Sequence, residues 1–331
     1  MNKRFVDAAT FALKDLKPAK MGWAIGKAPN IAFVRRFRMK DGSFRTNPGY
    51  RNPDIDCPAS PSDDSSSLLI IKRENAPEIG VVNFQVHPDV IGGFAVSSDY
   101  PHFVRQTYEK LIDNSRCIYL NGTCGDTNHA DWSIWNTDKC FRGYDRARYM
   151  GRKIAMAAVA NYELAEPISG DKIAFGHKAI TVKMNKGTEA ELPLAKELSD
   201  YYDIHGLEDS TAYVQKTMGI KDMVPAKTLL RRYLRIHSLK DAPDQRELYV
   251  SALIVGDVAF AGIPGEPFTE VGRIIKNGSK YTLTMPSCLA NGCEGYYPTQ
   301  AAFDEGGYEA ETAKYVAGPA EQLAAASVEL I

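Results

Sequence analysis

Several polar segments of this sequence stand where short apolar strands end, which is where α/β proteins commonly place functional side chains. The segment VVNFQVHP (81–88) brings His87 to the end of a buried strand, and Pro88 ends the pairing of that strand. An imidazole fixed in this way suits a zinc ligand or a general base. A hydrogen-bonded core histidine is the structural alternative.

Two further segments are turns that follow strands. YLNGTCGDTNH (119–129) is rich in small residues, so its backbone N–H groups can approach a ligand and Asp126 can orient a catalytic group. A plain tight turn accounts for the same residues. In GIPGEPF (262–268), Glu266 lies between a strand and a helix that begins near Pro267, where a carboxylate suits either a ligand or a helix cap.

The last polar segment is LANGCEGYYPT (289–299), which is followed by FDEGGYE (303–309). Taken alone, the two stretches are aromatic loops. Walker A, HExxH, GxSxG and GxGxxG patterns are all absent from the sequence, which removes most support for nucleotide-binding and serine-hydrolase hypotheses.

The elements that must position these residues predict an α/β fold. We expect a single large domain with a mixed β-sheet core flanked by helices, and a helix-rich insertion at about 187–240. Apolar runs on either side of short turns predict hairpins within 67–86 and 249–262. Residues 41–66 are so rich in Gly, Pro, Asp and Ser that they predict one long surface loop.

Composition excludes several function classes. The 331 residues carry 40 Lys+Arg against 41 Asp+Glu, a net charge of -1, so there is no electrostatic case for nucleic acid. No apolar run is long enough to span a membrane, and the N-terminus has no signal-peptide pattern, which predicts a soluble protein, cytoplasmic or secreted. The 6 cysteines include no CxxC pair and are expected to be mostly free thiols.

Taken together, the motifs resemble the neutral/alkaline non-lysosomal ceramidase family, which are zinc-dependent amide hydrolases. The resemblance spans nearly the whole chain. It rests on the order and spacing of five motifs: NFQVHP, SSDYP (97–101), NGTCGD, IPGEPF, and ANGCEGYYPT with EGGYE. It implies a ceramidase-like catalytic domain over residues 1–331.

The resemblance also assigns roles to individual residues. It implies that His87, Glu266 and Tyr296 are ligands of a zinc ion, and we expect their side-chain tips to converge. It further implies a catalytic role for Tyr308 and an active-site position for Arg35.

Two departures from the family pattern bear on activity. The family's first zinc histidine belongs to a Thr-His-Thr-His-Ser motif upstream of where this chain begins, so the chain is expected to lack the N-terminal segment, to bind zinc weakly and to have little activity. His129 is the first residue to test as a replacement ligand. In the run matching the family's Gly-Asp-Val-Ser-Pro-Asn, the serine is replaced by Asn128, which can hydrogen-bond but cannot act as a nucleophile. We expect Asp126 and Asn128 to line the same cleft as Tyr308 and Arg35.

The favoured function is therefore a zinc-dependent hydrolase that cleaves a linear amide bond in a ceramide-like N-acyl substrate by metal-activated water. One alternative is a thiol hydrolase that uses Cys124, with His87 or His129 as base. Another is a non-catalytic, truncated relative that binds a lipid-like amide. A small-molecule amide or lipid is the expected partner, and the oligomeric state is left open.

Overall fold

The structure is a computed structural model that describes residues 2–50, 52–133 and 142–331. The helices are α1 (Asn2–Lys14), α2 (Asp99–Leu111), α3 (Gly143–Val159), α4 (Leu192–Met218), α5 (Met223–Leu239), α6 (Thr269–Gly278), α7 (Gln300–Glu305), α8 (Tyr308–Thr312) and α9 (Pro319–Leu330). The strands are β1 (Ala19–Lys27), β2 (Phe33–Val34), β3 (Arg36–Met39), β4 (Phe44–Thr46), β5 (Ile55–Pro58), β6 (Ser65–Arg73), β7 (Glu78–Phe84), β8 (Ser115–Asn121), β9 (Thr127–Asn128), β10 (Glu166–Pro167), β11 (Ile173–Lys183), β12 (Gln245–Val255), β13 (Val258–Gly262), β14 (Glu266–Pro267), β15 (Leu283–Ser287) and β16 (Tyr296–Tyr297). No helix in these ranges is long and apolar enough to cross a membrane.

Two mixed sheets form the centre of the molecule. The first has the strand order β10-β1-β6-β7-β8 and the second β11-β12-β13-β15. In each sheet the last pair is parallel, β7 with β8 and β13 with β15, and the remaining pairs are antiparallel. The predicted fold class, an α/β arrangement with mixed sheets flanked by helices, is confirmed.

The molecule has four layers: α2 with α3, the first sheet, the second sheet, and α6 with α9. Alternation of side chains along the strands explains how the two sheets contact both neighbours. In β6, Leu68 and Ile70 face a core shared with α2 and α3, whereas Leu69 faces the second sheet and packs with Val258 and Leu283. Successive side chains of a strand point to opposite faces, so one strand serves both layers. The far face of the second sheet is covered by α6 and α9.

Both predicted hairpins are confirmed. β6 pairs with β7 and β12 pairs with β13, each antiparallel. The tight turn between β12 and β13 places Gly256 at a φ of 58°, where a side chain would also meet the carbonyl oxygen of Ser169 at 2.7 Å. Glycine is therefore required at that turn.

The prediction of one long loop over 41–66 is wrong. β4 and β5 lie in this stretch and pair on either side of β3, with Arg36 opposite Thr46 and Phe37 opposite Pro58. Polar composition predicted a surface location, but short strands pair through backbone hydrogen bonds and do not need apolar side chains for that.

The stretch 187–240 contains α4 and α5, which pack on each other through a small apolar core of their own. That core includes Leu198, Val214, Ala226 and Leu230, all fully buried. The start of α5 lies close to β4, and α5 packs against α8, which carries Tyr308.

Asp63 connects the segment before β6 to α6. Its Oδ2 accepts a hydrogen bond from Lys276 Nζ at 2.8 Å, and its Oδ1 accepts from Ser65 Oγ at 2.6 Å. Burial alone would raise the pKa of Asp63, but Lys276 and Ser65 lower it below the usual value. The ionised carboxylate is therefore favoured by the folded state.

We expect Asp63→Asn to lower the free energy of unfolding at pH 7 by about 1.5–3 kcal/mol, the range for hydrogen bonds to charged groups. A carboxyl group whose pKa is lower in the folded than in the unfolded state stabilises the fold at pH values above the unfolded pKa of about 3.9. This stabilisation is lost as pH falls through the folded-state pKa. Urea midpoints of variant and wild type should therefore converge as the pH falls through the folded-state pKa of Asp63. Asp64→Asn is the matched control, and an equal effect of both variants would contradict the prediction.

Candidate active site

His87 lies just after β7, and its ring is oriented by the backbone. Nδ1 is 2.7 Å from the carbonyl oxygen of Thr127, which can only accept, so Nδ1 carries the proton. In the neutral ring, Nε2 therefore presents a lone pair. It is buried, has no hydrogen-bond partner among the described residues, and lies 3.4 Å from Glu266 Oε2. An unsatisfied buried nitrogen is unlike the satisfied core histidine considered as the alternative.

Glu266 and Tyr296 are brought together by β14 and β16, in which they are directly paired. The close approach of these short strands depends on Gly265, because a Cβ there would lie 2.7 Å from the carbonyl oxygen of Gly295. Burial alone would raise the pKa of Glu266, but the positive charge of a protonated His87 ring, and then Arg35, lower it below the usual value. The carboxylate is therefore ionised at neutral pH.

Tyr296 is surrounded by other site residues. Its ring centroid lies 6.0 Å from that of His87 and 5.7 Å from that of Tyr308. Arg35 Cζ is 5.2 Å from the Tyr296 ring centroid and 5.8 Å from that of Tyr308. Burial and the Glu266 carboxylate raise the pKa of Tyr296 although Arg35 opposes them, so the free phenol is un-ionised.

Arg35 is fixed by groups behind it. Its Nε donates to Glu309 Oε1 at 2.6 Å, and its Nη2 donates to the carbonyl oxygen of Gly125 at 2.9 Å. Burial alone would lower the pKa of Arg35, but Glu309 and Tyr296 raise it above the usual value. The site thus contains a permanent, immobile positive charge beside two phenol rings.

Tyr308 is held by a residue of α5. Arg231 Nη1 donates to the Tyr308 hydroxyl at 2.6 Å, and Arg231 Cζ lies 5.4 Å from the ring centroid. Because the hydroxyl oxygen accepts this bond, the hydroxyl proton is free to be donated elsewhere.

The sequence did not identify Arg231 or Glu309. Arg231 lies in a charged helical stretch without any motif. Glu309 follows Tyr308 directly in the EGGYE motif, which was a signal that could have found it.

Asp126 stabilises the backbone around the site. Its Oδ1 accepts from Thr269 N at 2.8 Å and from Thr269 Oγ1 at 2.7 Å, which caps the start of α6. Its backbone carbonyl also accepts from Arg35 N at 2.9 Å. Asp126 therefore positions the segments that carry the site, and its Oδ1 does not point at open space.

Asn128 also lies behind the site. Its Nδ2 donates to Asn47 Oδ1 at 3.0 Å, and its Oδ1 accepts from Ala130 N at 3.1 Å. Asn47 lines a cavity beside Tyr308, whereas Asp126, Asn128 and Arg35 do not. Of the residues expected to share a cleft, Tyr308 alone lines that cavity.

His129 is paired with Asp89. Its Nδ1 lies 2.9 Å from Asp89 Oδ1, and its buried Nε2 has no partner among the described residues. Burial alone would raise the pKa of Asp89, but His129 and then His87 lower it. Within the described ranges, no three His, Cys, Asp or Glu side chains are grouped to hold a metal ion. His129 therefore does not complete a cluster with His87 and Glu266.

A cavity of about 580 Å³ lies beside Tyr308. Residues 44–49 form one wall and residues 220–229, at the start of α5, form the other. Its apolar lining includes Phe44, Pro48, Met223, Val224, Pro225 and Leu229. The volume is in the range of small-molecule sites.

Cys124, the candidate nucleophile of the thiol alternative, is 1% exposed. Its hydrogen bond with Cys288 and its burial raise the pKa of the Cys124 thiol well above the usual value. A buried thiol that resists ionisation is a poor nucleophile. The geometry therefore counts against the thiol hydrolase.

Comparison with solved structures shows a ceramidase-like fold. The chain is similar to neutral ceramidase from Pseudomonas aeruginosa, with a TM-score of 0.64 and 16% identity over 98% of this chain and 53% of that chain. It is also similar to a ceramidase complexed with C2, with a TM-score of 0.60 and 15% identity over 96% and 53% of the two chains. The chain thus spans about half the length of these proteins. No protein-family model and no curated protein sequence matches the chain.

Proposed function

We propose that this chain is a zinc-dependent hydrolase that cleaves the linear amide bond of a ceramide-like N-acyl lipid. Water adds to the carbonyl carbon and the C–N bond breaks, which yields a carboxylic acid and an amine. The observation that carries the proposal is the convergence of His87, Glu266, Tyr296, Arg35 and Tyr308, which come from distant parts of the chain. The similarity of the fold to solved ceramidases supports the same substrate class.

The residues present fit a zinc ion. His87 Nε2 is a buried nitrogen without a hydrogen-bond partner in the described part of the chain, and it faces the ionised carboxylate of Glu266 beside Tyr296. Imidazole nitrogen and carboxylate oxygen are ordinary zinc ligands. The resemblance implies Tyr296 as the third ligand, so we propose these three residues as the protein ligands. A zinc ion held there would supply a water of lowered pKa and would polarise the amide carbonyl.

The chain's own residues orient and stabilise the reacting groups. The Thr127 carbonyl holds the His87 ring in one tautomer, as partners behind metal ligands commonly do. Arg35 and Tyr308 present a positive charge and a free hydroxyl proton next to each other. Donors fixed in advance around a developing oxyanion lower the barrier to its formation.

The cavity beside Tyr308 suits an apolar substrate. Its wall from α5 is rich in apolar side chains, so we propose that it takes the hydrocarbon part of the lipid. We place the amide group near Tyr308, which lines the cavity and whose ring centroid lies 5.7 Å from that of Tyr296.

The proposal is tested by turnover of a fluorescent N-acyl sphingoid amide in detergent with excess Zn²⁺. We expect hydrolysis that is slow, rises with added Zn²⁺, is lost on chelation and survives a thiol alkylator. Loss with the alkylator alone would favour the Cys124 alternative. Binding of the amide without any turnover would favour the non-catalytic alternative.

We expect Tyr308→Phe to reduce kcat by about 10²-fold, the lower end of the effect of losing one oxyanion donor. The ring and its contact with Arg35 remain and only the hydrogen bond from Arg231 is lost, so the variant should stay folded, which its urea unfolding curve checks. Tyr249→Phe, which removes an exposed hydroxyl far from the site, is the matched control. Equal kcat values in the two variants would remove Tyr308 from the catalytic residues.

A further inference from the structure

Two cysteines beneath the candidate site are close neighbours. Cys124 lies in the turn after β8 and Cys288 follows β15, so the pair joins the ends of two different sheets. Their Sγ atoms are 3.8 Å apart although the residues are 164 positions apart in sequence. Both residues are buried, at 1% and 6% exposed.

The surroundings hold the two sulfurs toward each other. Asn121 Nδ2 lies 3.3 Å from the sulfur of Cys124 and 3.4 Å from that of Cys288. Asn121 Oδ1 accepts from Tyr100 and Tyr119, so the direction of its amide group is determined. Cys288 N donates to the Asn121 carbonyl at 3.0 Å, which also keeps the two backbones together.

We propose that Cys124 and Cys288 form an intramolecular disulfide when the chain meets a low-molecular-weight disulfide. The attack takes place while the chain folds and both thiols are still exposed: one protein thiolate attacks the small disulfide and releases one thiol, and the second protein thiolate displaces the other. The two protein thiols lose two electrons and two protons in total, and the small disulfide becomes two thiols. The sulfurs must approach by about 1.8 Å to reach the bonded distance of about 2.05 Å.

The crosslink would act on the turn that holds Arg35. Gly125 O accepts from the Arg35 guanidinium, and the next carbonyl accepts from Arg35 N. The disulfide would also close a long loop between the two sheets, which restricts the unfolded chain. The oxidised protein should therefore melt at a higher temperature than the reduced protein.

The test exposes the reduced full chain to glutathione disulfide, both in the folded state and during refolding from urea. Remaining thiols are blocked at acid pH, and peptides are mapped by mass spectrometry without reduction. We expect a Cys124–Cys288 crosslinked peptide as the main product, with a mass loss of about 2 Da per chain. Cys288→Ser should abolish the crosslink, whereas Cys293→Ser, which removes an exposed thiol, should leave it unchanged.

Blocked, uncrosslinked Cys124 and Cys288 in both the folded and the refolded samples would overturn the proposal. A different pairing, or glutathione adducts restricted to Cys57 and Cys293, would also overturn it. None of these readouts depends on amide hydrolysis, so the outcome is separate from that of the proposed function.

Discussion

Replacement of His87 by alanine is expected to lower amide hydrolysis by more than about 10³-fold, beyond the 10²–10³ that a single oxyanion donor contributes. The variant removes the buried Nε2 that faces Glu266, and with it the imidazole of the proposed zinc site. Turnover at saturating Zn²⁺ and zinc bound at equilibrium dialysis measure the effect. We expect both to fall together.

His102→Ala is the matched control because His102 is exposed on α2. Circular dichroism must show that both variants fold, since the His87 ring also binds the Thr127 carbonyl. Full turnover in folded His87→Ala would contradict the proposed zinc site. Lost turnover with unchanged zinc content would instead favour a general base at position 87.

Replacement of Glu309 by glutamine is expected to lower the free energy of unfolding by about 3–5 kcal/mol, the cost of leaving a buried charge without its partner. Glu309 is 0% exposed and binds Arg35 at 2.6 Å and Thr46 Oγ1 at 2.7 Å. Arg36 Nε lies 3.8 Å from the same carboxylate. One buried carboxylate therefore compensates two buried arginines.

Glu305→Gln provides the comparison for this prediction. Glu305 contacts Arg36 at 3.1 Å, but its side chain is 28% exposed, so we expect a loss of less than about 1 kcal/mol. Urea unfolding at pH 7 measures both variants. Equal midpoints for the two would show that the Arg35–Glu309 pair contributes little to stability.

Strand ends and the resemblance together predicted most of the central residues of the candidate site. His87, Glu266 and Tyr296 are near neighbours in the structure, and Arg35 and Tyr308 lie against Tyr296. The catalytic and metal-binding roles of these residues stay predictions.

The sequence was less informative about residues that hold other parts of the site in position. Asp126 and Asn128 belong to the same turn motif, yet the structure commits the Asp126 Oδ1 to capping α6 and the Asn128 side chain to Asn47 and Ala130. A polar residue in a turn has several partners within reach, and local sequence does not choose among them.

By itself, the sequence determined the α/β class, the hairpins and which segments are candidates for the site, because periodicity and turn residues are local signals. Only the tertiary structure decided that Glu309 meets Arg35 from 274 positions away and that Cys124 meets Cys288. It also decided that Arg231 reaches Tyr308. Apolar periodicity identifies which face of an element is buried, but which distant polar groups meet depends on how the layers pack, and that information is spread over the whole chain.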